Sequence, residues 1–116
     1  ETGGKVITTE LLKSKAQKAI ANFKKAGVQD LIEVRIGNAM DTLKEHDQPI
    51  DLLLLDGWKD LYLPLFKMLE PQFHAGTLIY ADNMDMAGTK DYANYVLKKK
   101  SILSNLVIIL NIMIFQ

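Results

Sequence analysis

Three oxygen-bearing side chains stand just beyond two short apolar runs: Asp56 after Leu52–Leu55, and Asp82 with Asn83 after Thr77–Tyr80. Two carboxylates and one amide oxygen are hard donors, suited to Mg²⁺ or a similar cation that keeps its remaining positions for water and substrate. Lys59 lies three residues past Asp56. A lysine beside a bound cation, in a partly desolvated pocket, has its ammonium form disfavoured, which is what a base requires. The plainer reading of Lys59 is an ordinary surface residue at the start of a helix.

These groups act together only if the chain brings them together. Unbroken Leu, Ile and Val runs mark strands of a parallel sheet whose two faces are both covered by helices. The interval between Asp56 and Asp82 is long enough for one helical crossover, which a parallel pair needs. Leu61, Leu65, Met68 and Leu69 are expected on the inner face of that helix, with Pro64 inside its first turn. Asp56, Asp82 and Asn83 then meet at the carboxyl edge of neighbouring strands, where open sheets bind their ligands. His74 is expected in the loop before the second strand and is assigned no chemistry.

The rest of the chain repeats the alternation. Lys5–Thr9 is rich in β-branched residues and reads as a strand ending at Glu10. Glu10 either accepts hydrogen bonds from the ribose hydroxyls of a cofactor, since one carboxylate matches two vicinal donors, or opens the next helix at its positive end. Leu11–Ala26 carries Leu12, Ala16, Ala19, Ile20 and Phe23 at helical spacing and is ended by Gly27. Leu31–Ile36 is a second strand, followed by Gly37, Asn38, Ala39 and Met40. A short helix over Met40–His46 follows, for which Asn38 or Asp41 is a candidate cap. Asp91–Lys100 reads as a helix closed by lysines, and Asn105–Phe115 as an apolar, β-prone tail.

The segment Leu55–Asn83, LDGWKDLYLPLFKMLEPQFHAGTLIYADN, resembles the catechol O-methyltransferases and the wider family of metal-dependent O-methyltransferases that use S-adenosylmethionine. The string D-x-W-K-D-x-Y-L-P, followed after a helix by A-D-N, carries the likeness, which extends more weakly from Gly4 to about Leu97. The resemblance implies an α/β fold: a Rossmann-like class I methyltransferase three-layer sandwich with a mostly parallel sheet. It matches Asp56, Asp82 and Asn83 to the metal ligands and Lys59 to the general base. It places Glu10 on the ribose, Ala39 and Met40 beside the adenine, and Asp56 and Trp58 at the cofactor and substrate pocket. Trp58 read without the family is equally a core plug at the sheet edge. Ala87 stands where the family often has a proline gate.

The family also begins with a strand and a glycine-rich cofactor loop, for which nothing before Lys5 leaves room. Residues 1–116 therefore read as a single partial methyltransferase domain, truncated at the N-terminus. In the family sheet the lost strand lies between the Lys5 and Leu52 strands, so their edges are expected to pair with each other or to drive homo-oligomers. The implied reaction is methyl transfer from S-adenosylmethionine to a hydroxyl of a catechol-like substrate with Mg²⁺. A non-catalytic remnant or fragment of such an enzyme is the alternative. DLLLLDG also suits the phosphoacceptor strand of a receiver-type signalling domain, but Thr9 and Glu10 stand where a receiver needs an acidic pair.

Composition narrows the partners. Fourteen basic and fourteen acidic residues cancel, which disfavours nucleic acid or an anionic membrane as a partner recognised mainly by field. There is no cysteine, so neither disulfides nor a thiolate zinc site is available. A 116-residue chain with 48% hydrophobic residues can bury a core. With no signal-peptide pattern at its start and no apolar run long enough to span a bilayer, the default is a soluble cytoplasmic protein.

Overall fold

The computed structural model describes residues 3–82, 84, 88–102 and 107–110, with the backbone alone at 99–102 and 107–110. The chain divides into two compact units, Glu1–Glu45 and His46–Gln116.

The first unit holds β1 (Val6–Glu10), α1 (Lys13–Lys25), β2 (Ile32–Ile36) and a single helical turn, α2 (Ala39–Thr42). The two strands are parallel, with Val6 opposite Ile32 and Glu10 opposite Ile36. The crossover helix α1 stops in a Schellman motif: Gly27 N–H donates to the Lys24 carbonyl and Val28 N–H to that of Phe23. Gly27 takes φ 72°, a left-handed conformation that a side chain would disfavour. The apolar stripe is less covered than its spacing suggests. Ala16 is buried, whereas Leu12 and Ile20 are exposed, because a two-stranded sheet is too narrow to cover a whole helix face. The expected helix over Met40–His46 is also shorter, ending at Thr42, where Arg35 Nη1 donates to the last carbonyl at 2.8 Å.

The second unit holds β3 (Ile50–Leu55), a 3₁₀ turn (Lys59–Leu61), α3 (Tyr62–Leu69), β4 (Phe73–Ala81), α4 (Lys90–Ile102) and β5 (Val107–Leu110). All its ladders are parallel, in the order β3-β4-β5. The apolar tail thus supplies a further strand over Val107–Leu110; its last residues lie outside the described ones. Within their own sheets β1 and β3 are edge strands, each paired on one side only among the described residues.

The core of this unit is aromatic. Phe66 is fully buried and meets Phe73, Tyr92 and Tyr95 edge-on at centroid distances of 5.1, 5.7 and 5.9 Å, while Tyr62 meets Tyr92 at 5.7 Å. Such T-shaped contacts align the positive ring edge with the negative face. The inner face of α3 is Tyr62, Leu65, Phe66 and Leu69. This corrects the expected Leu61 and Met68: the α-helix starts after the 3₁₀ turn, so the helical stripe is counted from Tyr62. The expectation that both faces of the Leu52–Leu55 strand are covered is corrected as well. Leu55, Ile79 and Ala81 are buried, but Leu52 and Leu54, on the opposite face, are each 60% exposed.

His74 falls inside β4, not in a loop, at an irregularity where β4 advances from Phe73 to Leu78 while β3 advances from Ile50 to Leu52. The extra residues are held by Thr77, whose hydroxyl donates to the Ile50 carbonyl at 2.7 Å and accepts from His74 N–H at 2.9 Å. Both imidazole nitrogens face acceptors, the Ala75 carbonyl at 2.8 Å and Asp51 Oδ1 at 2.7 Å. Only the imidazolium donates to both, so these contacts, Ala75 first and Asp51 second, raise the His74 pKa above 6.5. A raised value means that this stabilisation is fully present below the unfolded pKa and is lost as pH rises through the folded one. In a ¹H NMR titration, Asp51→Asn is expected to lower the His74 pKa while leaving it above 6.5. An unchanged value would show that the pair is not formed in solution.

Candidate active site

Local pairing sets the positions of the two carboxylates. Leu55 is opposite Ala81 in the β3–β4 ladder, and Asp82 N–H donates to the Leu55 carbonyl at 2.9 Å. Asp56 and Asp82 therefore leave adjacent strand ends side by side, as the two apolar runs predict. Asp56 is exposed and makes no hydrogen bond or ion pair among the described residues. Asn83 and Ala87 lie outside the described residues. Among the described residues no group of three or more His, Asp or Glu side chains could hold a metal ion, so the described part of the expected ligand set is Asp56 with Asp82.

Lys59 comes to the same edge. Trp58 has extended backbone and caps the 3₁₀ turn that Lys59 opens. Lys59 Nζ donates to Tyr62 Oη at 2.6 Å and to the Asp82 carbonyl at 3.3 Å, and Tyr62 Oη donates to that same carbonyl at 3.0 Å. The ammonium also lies 4.7 Å from the Tyr62 ring centroid. Burial raises the Tyr62 pKa; Lys59 opposes this, and the charges of Asp56 and Asp82 add to it. Both carboxylates thus act on one hydroxyl, an electrostatic sign of their convergence. Trp58 is 71% exposed, so it is not a core plug at the sheet edge.

Gly88 and Thr89, which precede α4, lie close to the turn. Thr89, buried, donates through its hydroxyl to the Met84 carbonyl at 2.8 Å. Gly88 adopts φ 93°, and a Cβ there would lie 3.1 Å from Asp60 Oδ1 and 3.4 Å from Lys59 Cβ. A residue without a side chain is therefore needed beside Lys59. Neither Tyr62 nor Gly88 emerged from the sequence as a site residue. The signal for Tyr62 was present as the spacing K-x-x-Y, which a 3₁₀ turn stacks on one side.

The expected cofactor residues Glu10, Ala39 and Met40 belong to the first unit. Glu10 ends β1, and its backbone carbonyl accepts from Gly37 N–H at 2.9 Å, so the Glu10 and Gly37–Met40 segments are neighbours at one sheet edge. Glu10 Oε1 accepts from Leu12 N–H at 3.1 Å, pinning the turn into α1. This is the helix-opening role, and it uses one of the two carboxylate oxygens. Asn38, not Asp41, caps α2, accepting from Met40 N–H at 2.9 Å.

Comparison with known proteins places these features in context. A family model described as O-methyltransferase matches residues 1–114. The chain is 34% identical over 101 residues to the catechol O-methyltransferase of Mus musculus, covering 81% of this chain and 38% of that protein. It is 35% identical over 106 residues to catechol O-methyltransferase B of Danio rerio, covering 85% and 40%. The crystal structure of an O-methyltransferase from Bacillus cereus in complex with SAH superposes with a TM-score of 0.74 at 25% identity, over 88% of this chain and 53% of that one. The fold is thus Rossmann-like, and the receiver reading is set aside. The chain spans about two fifths of the mouse and zebrafish proteins. No helix among the described residues is long and apolar enough to cross a membrane.

Proposed function

The chain belongs to the O-methyltransferase family, and from that premise we propose that it carries the cation and base part of an S-adenosylmethionine-dependent O-methyltransferase acting on a catechol-like small molecule. One arrangement supports this reading: Lys59 Nζ is anchored at the Asp82 carbonyl, beside two carboxylates that leave adjacent ends of β3 and β4.

Asp56 and Asp82, with Asn83 as the third donor, are the residues that would hold a Mg²⁺-type cation. The fit lies in the donor chemistry: hard oxygens with an exposed carboxylate, Asp56, that the described residues leave unengaged. Such a cation, when bound, supplies Lewis acidity that lowers the pKa of a neighbouring hydroxyl. Lys59, in its neutral form, accepts the proton of that hydroxyl at Nζ. The resulting oxygen forms its bond to the methyl carbon as the carbon–sulfur bond breaks, and the sulfonium leaves as a neutral thioether. Positioning carries most of this reaction, because the sulfonium is already a good leaving group. In the first unit Glu10 would hold the ribose hydroxyls of the cofactor, with Ala39 and Met40 the residues for its adenine; in the second, Asp56 and Trp58 are the residues for the methyl-donor end.

A second reading is a remnant that keeps the cation edge without turnover. Titration calorimetry with S-adenosylmethionine, with and without Mg²⁺, separates the two: a remnant takes up cation but not cofactor. For the cation itself, Mn²⁺ binding followed by water-proton relaxation is expected to weaken at least about tenfold in Asp82→Ala. Unchanged Mn²⁺ binding in that variant would refute the ligand assignment.

A further inference from the structure

Lys59 opens a 3₁₀ turn and Tyr62 follows three residues later. In this geometry side chains at i and i+3 eclipse, so the turn itself stacks the ammonium on the phenol. The three polar atoms close a triangle: Lys59 Nζ to Tyr62 Oη 2.6 Å, Tyr62 Oη to the Asp82 carbonyl 3.0 Å, and Lys59 Nζ to that carbonyl 3.3 Å. Two corners come from the crossover and the third from the end of β4. The Tyr62 side chain is 1% exposed and is wedged edge-on against Tyr92, so its hydroxyl is a fixed point. A lysine chain held by nothing loses no rotamer freedom on folding, whereas immobilising one costs side-chain entropy. Here two hydrogen bonds and a ring contact offset that cost.

Tyr62 does not need such bonds merely to be buried. Tyr92, fully buried beside it, has no hydrogen-bond partner for its hydroxyl among the described residues. Nor does a ring contact alone make the clamp. Lys67 lies 4.9 Å from the Tyr95 ring centroid, yet the Tyr95 hydroxyl donates to Glu70 at 3.0 Å.

We propose that Tyr62 is a positioning residue for methyl transfer: its hydroxyl accepts from Lys59 and donates to the Asp82 carbonyl, locking the ammonium to the strand that carries Asp82. The proposal rests on the reading of Lys59 as the base. It assigns Tyr62 no proton transfer and no contact with substrate.

The test uses the full chain with ¹³C-labelled lysine, the Lys59 signals being assigned by their loss in Lys59→Arg. In the unmodified chain the Lys59 ε-methylene protons are expected to be non-equivalent and shifted upfield by the Tyr62 ring. Tyr62→Phe keeps the ring and removes the hydroxyl. In that variant the two signals are expected to merge towards those of a free lysine, while the Lys67 signals stay in place as an internal control of folding. Unchanged Lys59 signals in Tyr62→Phe would overturn the proposal. In turnover assays Tyr62→Phe is expected to lower kcat by up to about 10²-fold with KM for both substrates nearly constant, the pattern of a misplaced group. A loss in Lys59→Ala with none in Tyr62→Phe would refute the clamp and leave the base assignment intact. Equal turnover in Lys59→Ala and the unmodified chain would instead remove the base reading on which the clamp depends.

Discussion

Lys59→Ala is expected to lower methyl transfer by about 10²–10⁴-fold, the usual contribution of a positioned general base. Cofactor affinity is expected to stay nearly unchanged, because the lost step is proton transfer and not ground-state contact. Alanine deletes both hydrogen bonds of Nζ, but Tyr62 keeps its bond to the Asp82 carbonyl, so the end of β4 retains a tie to the crossover. The decisive comparison is kcat against S-adenosylmethionine affinity, measured in this chain and in a full-length family member carrying the same D-x-W-K-D-x-Y-L-P string. Equal losses in both quantities would mean that Lys59 is structural.

The largest effect on stability is expected from Phe66→Ala. Phe66 is fully buried and forms the hub at which Phe73, Tyr92 and Tyr95 meet. Truncating a buried phenylalanine costs about 3–5 kcal/mol in lost burial and residual cavity. Domains retain only about 5–15 kcal/mol in total. Urea unfolding followed by circular dichroism is expected to lose that much stability, and Phe66→Leu, which refills most of the volume, much less. A cost below about 1 kcal/mol for the alanine variant would mean that the aromatic cluster is not packed in solution. The functional consequence follows from topology. Phe66 lies on the same face of α3 as Tyr62, so loosening the hub frees the element that holds Lys59.

Much of the site was legible because it depends on short-range order. Leu52–Leu55 and Thr77–Tyr80 are apolar runs of strand length, and a parallel pair with one crossover admits one arrangement of their ends. Asp56 and Asp82 are adjacent for that reason. The D-x-W-K-D-x-Y-L-P string carried the family, and the match over residues 1–114 agrees with it. Where the reading failed, a local rule met a competing contact. The helix after Asn38 stops at Thr42 because Arg35, from β2, takes its final carbonyl. His74 joins β4 because Thr77 stitches an irregular stretch of that strand to Ile50.

The amino-acid sequence by itself determined which residue types reach the carboxyl edge of β3 and β4, since Asp56 and Asp82 each come just after an apolar run of strand length. Tertiary structure alone decided which side of each element is covered. An unbroken leucine run has no period from which to tell a strand buried on both faces from one buried on a single face, and only the packed helices distinguish Leu55, 3% exposed, from Leu54, 60% exposed. It also decided the orientation of Lys59. The ammonium is held at the Asp82 carbonyl because a 3₁₀ turn, not an α-helix, begins at Lys59, and that difference lies in hydrogen bonds closed across 23 residues of chain.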